Sequence, residues 1–155
     1  MKSETIYDLL IIGGGISSSV FVSKYLQSNI TKKVALIETG RRLGGRSSTR
    51  ISKKFKGWKL NHGAPNFNIS NSNNNPLLKS YIDELLENKF IKIDDSEIVF
   101  LNEDTNLENK KTSEFSYGVN YLSLDSMSQF SQNIIEFNNL KGKIDFYFET
   151  LIVDL

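Results

Sequence analysis

The chain has 155 residues, with Lys+Arg 19 against Asp+Glu 18 for a formal net charge of +1, and is 39% hydrophobic and 24% charged. Those values describe an ordinary globular chain of one domain or slightly more, with no bulk electrostatic pull toward nucleic acid or acidic lipid. There is no Cys and a single His, His62, which excludes disulfides, iron–sulfur clusters, thiolate zinc sites, cysteine nucleophiles and multi-histidine metal sites.

In chain order, residues 5–12 (TIYDLLII) form a short apolar run ending at three glycines, the pattern of a strand buried in a parallel sheet. The longest apolar stretch there, residues 9–12, follows Asp8 and is expected to be neither a secretory leader nor a membrane span. Residues 16–28 read as a helix, with Ile16, Val20 and either Tyr25 or Leu26 at helical spacing. Residues 33–38 (KVALIE) form a second apolar strand, which makes a βαβ unit with an expected right-handed crossover. Residues 39–50 are a Gly/Arg/Ser loop, and residues 58–60 a short strand running into Asn61-His62-Gly63-Ala64. Lys53, Lys54, Lys56 and Lys59 read as a solvated face. After a polar break at residues 71–76, Pro76 suits the first turn of a helix. Residues 77–88 are that amphipathic helix, with Leu77, Leu78, Tyr81, Ile82 and Leu85 on one side.

Residues 90–95 and 97–101 look like two strands around a tight turn, and residues 102–114 like an exposed loop. Residues 123–138 read as a helix capped by Asp125 or Ser126, with Met127, Phe130, Ile134 and Phe137 on one face. Residues 144–155 read as a strand in which Phe146, Phe148, Thr150 and Ile152 alternate against Tyr147, Glu149 and Leu151, its aromatics serving the core. The expected division is 1–70 for a nucleotide-binding segment, 71–116 for an insertion and 117–155 for a return to the first segment.

The chemistry is concentrated early. Gly13-x-Gly15-x-x-Ser18 lies between a strand and a helix. The first glycine permits the tight turn, the second lets the backbone approach a diphosphate, and the third position needs a small side chain for close helix–strand packing. The helix N-terminus offers unpaired N–H groups and partial positive charge to phosphate. Glu38, at the tip of the second strand and 23 residues after Gly15, stands where an acid accepts hydrogen bonds from an adenosine ribose. A 2′-phosphate against it would meet like-charge repulsion of about 1–4 kcal/mol, which argues against NADP. All four arginines, Arg41, Arg42, Arg46 and Arg50, fall within ten residues of one another, either as a chance cluster or as a phosphate-binding loop.

The run Arg41-Arg42-Leu43-Gly44-Gly45-Arg46-Ser47-Ser48-Thr49-Arg50 resembles the second glycine motif (R-x-G-G-R-x-x-S/T) of FAD-dependent amine oxidases. With Asn61-His62-Gly63-Ala64-Pro65-Asn66-Phe67 it is similar to renalase-like flavoproteins in particular. Met127–Phe130 and residues 146–155 resemble the later helix start and adenine-side strand of that family, whereas residues 68–119 carry no family motif. The resemblance implies an α/β, Rossmann-like FAD-binding domain with part of an inserted substrate domain. It implies that Gly13, Gly15 and the following amides of Ile16 and Ser17 hold the diphosphate, and that Glu38 holds the ribose. By the same resemblance Gly44, Gly45 and Arg46 contact the phosphates, Arg41 lies near the adenosine, Thr49, Arg50, Gly63 and Ala64 lie toward the flavin, and Ile152 offers its backbone to the adenine. Ser18, Val22 and Asn61 depart from the family pattern, as do Pro65-Asn66 and the glycine-free residues 123–126. His62 is either a catalytic base or, as the family comparison favours, a structural residue; no catalytic residue is assigned.

The implied activity is oxidation of an amine or dihydronicotinamide-type substrate by hydride transfer to flavin. Because such relatives are about twice as long, a truncated chain or one half of a split protein is expected, with a second chain as a candidate partner. The alternatives are a non-catalytic FAD- or ADP-ribosyl-binding fragment and a carotenoid-desaturase-like flavoprotein. The expected partner is a small-molecule substrate, with no nucleic acid, no membrane and no metal, and the expected location is cytoplasmic.

Overall fold

The structure is a computed structural model that describes residues 5–101, 107–111, 118–137, 140 and 142–154. It divides into two compact units, Met1–Ala64 with Ser126–Leu155, and Pro65–Asp125.

In the first unit, β1 (Leu9–Ile12), α1 (Ile16–Ser28) and β2 (Val34–Ile37) realise the βαβ unit, with Leu9 opposite Val34 and Ile12 opposite Ile37 in parallel register. The last strand, β10 (Ile144–Tyr147), pairs with the other edge of β2, also in parallel, so the order is β1-β2-β10. α3 (Met127–Phe137) leads into β10 and packs against α1. The core between sheet and helices is Ile11, Val22, Leu26, Val34, Leu36, Leu43, Ile135, Leu140 and Ile144. Each such buried side chain contributes roughly 1.5–3 kcal/mol.

The inner stripe of α1 differs from the expected one. Ser19, Val22, Ser23 and Leu26 are buried, whereas Ile16, Val20 and Tyr25 are only partly covered. Small serines permit close approach, and the Ser19 hydroxyl folds back onto the Gly15 carbonyl at 3.2 Å, so its polarity is satisfied within the helix. β1 is likewise not buried on both faces: Ile11 is covered, while Leu10 and Ile12 are exposed on the opposite side.

The strand expected over residues 144–155 ends at Tyr147. Glu149 adopts φ 52°, and the amides of Glu149 and Thr150 donate to the carbonyls of Gly40 and Glu38, at 3.0 and 3.1 Å. The chain thus turns toward the β2 loop. Phe146, Tyr147 and Phe148 are exposed, not core, and Phe146 and Phe148 stack with ring centroids 5.6 Å apart. Leu155 lies outside the described residues.

β3 (Thr49–Ile51) and β4 (Lys59–Asn61) form an antiparallel hairpin, so the Gly/Arg/Ser loop contains the start of a strand as well as a 3-10 turn at Gly45–Ser47.

In the second unit the sheet order is β5-β9-β6, from Phe67–Ser70, Gly118–Ser123 and Ile91–Ile93, all antiparallel. Phe67 and Tyr121 stack across β5 and β9 at 5.5 Å. α2 (Pro76–Glu87) starts with Pro76 at its first turn, and the Asn75 side chain accepts from the amides of Leu77 and Leu78. Ile82 and Leu85 are buried and Leu78 and Tyr81 partly covered, but Leu77 is exposed. β7 (Glu97–Leu101) does not form a hairpin with β6. It pairs with β8 (Leu107–Lys111), which occupies part of the expected loop, while β6 pairs with β9. The rest of that loop, residues 102–106 and 112–114, lies outside the described residues, as does Asn138. Among the described residues no helix is long and apolar enough to cross a membrane.

Candidate functional site

Three short segments of the first unit meet at the C-terminal end of β1. The turn after β1 is fixed by Gly13 at φ 92°, whose amide donates to the Ile37 carbonyl at 2.8 Å. The turn at Gly44–Arg46 lies directly against it. Gly15 and Gly44 form an isolated parallel bridge, and the Gly44 amide donates to the Gly14 carbonyl at 2.8 Å. The third segment, Gly63-Ala64, closes on the second turn, with the Ala64 amide donating to the Arg46 carbonyl at 2.8 Å. A Cβ on Gly63 would run into that same carbonyl oxygen. The two motifs separated by residues 47–62 in sequence are therefore one structural element.

Glu38 ties the first turn to β2. Its carboxylate accepts from the Gly14 amide and from the Gly40 amide, each at 2.6 Å. Charge-assisted bonds of this kind contribute about 1.5–3 kcal/mol each. The side chain is thereby held as a fixed acceptor at the tip of β2.

The second turn is also braced from below. The Ser47 hydroxyl donates to the Gly44 carbonyl at 2.6 Å. Thr49 donates to the Asn61 side-chain oxygen at 2.7 Å and accepts from the Ser128 amide at 3.2 Å, while Asn61 also accepts from the Met127 amide at 3.3 Å. Thr49 and Asn61 thus cap α3, together with Ser126, whose hydroxyl accepts from Gln129. Ser126 caps α3 as the sequence suggests, whereas the capping roles of Asn61 and Thr49 escape sequence reasoning because their partners, Met127 and Ser128, are far away in the chain. The His62 ring lies 3.2 Å from the Ser48 hydroxyl and is exposed.

Two clefts flank the glycine turns. One, of about 480 Å³, is lined by Gly15, Ile16, Ser17, Gly44, Arg46, Ser47, Gly63 and Ala64. The other, of about 610 Å³, is bordered by Glu38, Arg41, Gly45, Thr49 and Lys53 among others. Arg50 and Ile152 line neither, and Gly13 shapes the turn behind the first. Arg41 pairs with Glu149 at 3.1 Å, both exposed. Among the described residues Arg46 has no ion-pair partner.

Gly15, which lines the first cleft, differs from the other glycines. Each of the other nine glycines has a positive φ or would place a Cβ within 3.0 Å of another atom. Gly15 has an ordinary φ of −79°, and a Cβ there would meet nothing within 4 Å. Nothing among the described residues requires a glycine there. The space it keeps clear opens at the start of α1, where no side chain caps the helix and the first N–H groups have no intrahelical acceptor. Open space, unpaired amides, a positive helix end and an unpartnered guanidinium together fit a diphosphate.

A parallel β1-β2-β10 sheet with this turn defines a Rossmann-like, dinucleotide-binding α/β fold. Residues 11–85, just under half of the chain, match the family described as NAD(P)-binding Rossmann-like domain. Among solved structures, the chain is similar to a triple mutant of putrescine oxidase made in a redesign of cofactor binding, at 22% identity and a TM-score of 0.40 over 67% of this chain. It is also similar to wild-type putrescine oxidase bound to putrescine, at 23% identity and a TM-score of 0.38 over 67% of this chain. A provisionally named protoporphyrinogen oxidase from Exiguobacterium sp. 255-15 aligns at 21% identity and a TM-score of 0.42 over 65% of this chain. The chain spans 21% of the length of each of these proteins. No curated protein matches the sequence.

Proposed function

We propose that this chain is the dinucleotide-gripping part of an FAD-dependent oxidoreductase of the amine-oxidase and renalase-like kind, acting on an amine or dihydronicotinamide-type substrate by hydride transfer to flavin. The observation that carries the reading is Gly15, a glycine that packing among the described residues does not explain, held against the second glycine turn at the edge of the cleft of about 480 Å³ that both turns line. Support for FAD over NAD comes from that second turn, because a plain dinucleotide fold supplies one close backbone approach and this chain supplies two.

The residues divide the work. The amides of Ile16 and Ser17 at the helix start donate to the diphosphate, because those of Gly13 and Gly14 are already spent on Ile37 and Glu38. Gly44 and Gly45 bring the second backbone close, and Arg46 supplies the fork of donors that neutralises phosphate charge. Glu38, held by two amides, accepts from the adenosine ribose and repels a 2′-phosphate. Arg41 and the Ile152 backbone serve the adenosine side; Thr49, Arg50, Gly63 and Ala64 shape the side toward the flavin. FAD supplies, when bound, the ring that accepts two electrons. His62 is a positioning residue for the Gly63-Ala64 segment.

The test is thermal unfolding of the chain with FAD, NAD or ADP-ribose, since a ligand that binds only the native state raises Tm. FAD is expected to stabilise most and ADP-ribose in part. Stronger stabilisation by NAD overturns the cofactor assignment, and no shift with any of the three overturns the site.

A further inference from the structure

The near-neutral total hides a segregation of charge. Residues 39–82 hold nine basic residues and no acidic one. Five of the nine, Arg50, Lys53, Lys54, Lys56 and Lys59, fall on the β3–β4 hairpin or its tip. Every residue from Lys53 to Pro65 is exposed. A merely solvated face would need lysines alone, yet this tip also carries large apolar side chains. Trp58 is 61% exposed, Leu60 53%, Phe55 50% and Ile51 45%.

The tip is built, not slack. The Ser52 amide donates to the Trp58 carbonyl at 2.9 Å, the Trp58 amide to the Phe55 carbonyl at 3.1 Å, and the Phe55 amide to the Ser52 hydroxyl at 2.9 Å. Gly57 takes φ 87° to complete the turn. The Phe55 and Trp58 rings lie 5.2 Å apart, and the Lys54 ammonium sits 5.4 Å from the Phe55 ring centre. An ordered aromatic pair is thus presented outward within a ring of cations.

We propose that the β3–β4 hairpin tip docks this protein on the surface of a bilayer containing anionic lipids, Phe55 and Trp58 entering the headgroup region and the surrounding lysines pairing with the charged headgroups. Amphipathic aromatic rings partition to that depth, and lysine stems lie along apolar surface while their ammonium groups stay in water. Charge complementarity selects anionic over neutral membranes. Nucleic acid is the less favoured partner, because single strands are held in grooves that track the backbone, whereas this element is the exposed end of a two-stranded ribbon. The contact is peripheral and requires no spanning helix.

Trp58 is the only tryptophan, so its fluorescence reports this tip alone. The full chain is mixed with phosphatidylcholine vesicles, with and without phosphatidylserine, and with poly(U). The expected result is a blue shift of emission and co-sedimentation with the phosphatidylserine vesicles only, weakening as salt is raised. The Lys54→Glu/Lys56→Glu variant is expected to bind at least about 25-fold more weakly, taking roughly fivefold for each basic residue near such a surface. Phe55→Ser, which leaves the fluorophore in place, is expected to reduce both the shift and the binding. Unchanged circular dichroism certifies that both variants fold. Emission unmoved by anionic vesicles overturns the proposal, as does sedimentation without a Trp58 shift. A response to poly(U) and not to vesicles overturns it in favour of nucleic acid.

Discussion

Gly118 and Gly15 sit in different units and have opposite reasons to be glycine. In the second unit, a Cβ on Gly118 would strike the Ile69 carbonyl across the β5–β9 pair, so sheet packing alone forbids a side chain. In the first unit, Gly63 is crowded in the same way by Arg46, but Gly15 is crowded by nothing. Packing inside the fold explains Gly118, the one glycine of the second unit, whereas Gly15 in the first unit has no such reason, which the proposed diphosphate contact would supply. That contrast can be broken or sharpened by substitution.

Gly63→Val should have the largest effect. The added side chain must displace either Arg46 or the Ala64 bond, at a cost of about 2–4 kcal/mol, read as a lower denaturant midpoint. Glu38→Gln comes next. One of its two amide partners would face an NH2 group instead of an oxygen, so about 1.5–2 kcal/mol of stability should go, together with the discrimination against a 2′-phosphate. Gly15→Ala is the sharp case. Unfolding free energy should move by less than about 1 kcal/mol, as for other changes at a helix N-cap, while FAD affinity by titration falls at least about tenfold. Equal losses of stability at Gly15 and Gly63 would erase the distinction.

The smallest effect is expected at Tyr7. Its hydroxyl donates to Asp145 at 2.6 Å, and Lys33 pairs with the same carboxylate at 3.0 Å. The Tyr7 bond first, and the Lys33 bond second, hold the Asp145 carboxyl below its usual range. A carboxyl depressed in the folded state adds stability above its unfolded value and loses it as pH falls through the folded value. Tyr7→Phe should therefore slightly lower stability at neutral pH, leave it unchanged well below about pH 4 where the carboxyl is protonated in both states, and so flatten the acid limb of a stability–pH curve.

The same contrast explains how much could be read from the sequence. The βαβ unit was legible because consecutive apolar runs and glycines are local signals, and α1 falls at Ile16–Ser28 as its spacing predicts. The meeting of Gly44 with Gly15 was legible only through family resemblance, since no local rule links turns so far apart. β5-β9-β6 was not legible, because β9 pairs with strands far upstream and intervening polar residues mask its pattern. Glu38 was found as an acid at a strand tip, but its grip on the Gly14 amide was hidden, since spacing gives position and not hydrogen-bond choice. Thr49 was singled out for the flavin side, while its hydroxyl serves the α3 cap.

The hydrogen bond from the Gly44 amide to the Gly14 carbonyl stitches the two turns into a closed circuit that runs out along α1 and back along β2. Fraying of either turn at this point breaks the bond that ties it to the other. That single N–H is accordingly a built-in gauge: its deuterium uptake tracks the opening of the whole seat, and a tenant bridging both turns should slow that uptake even where it never touches Gly44.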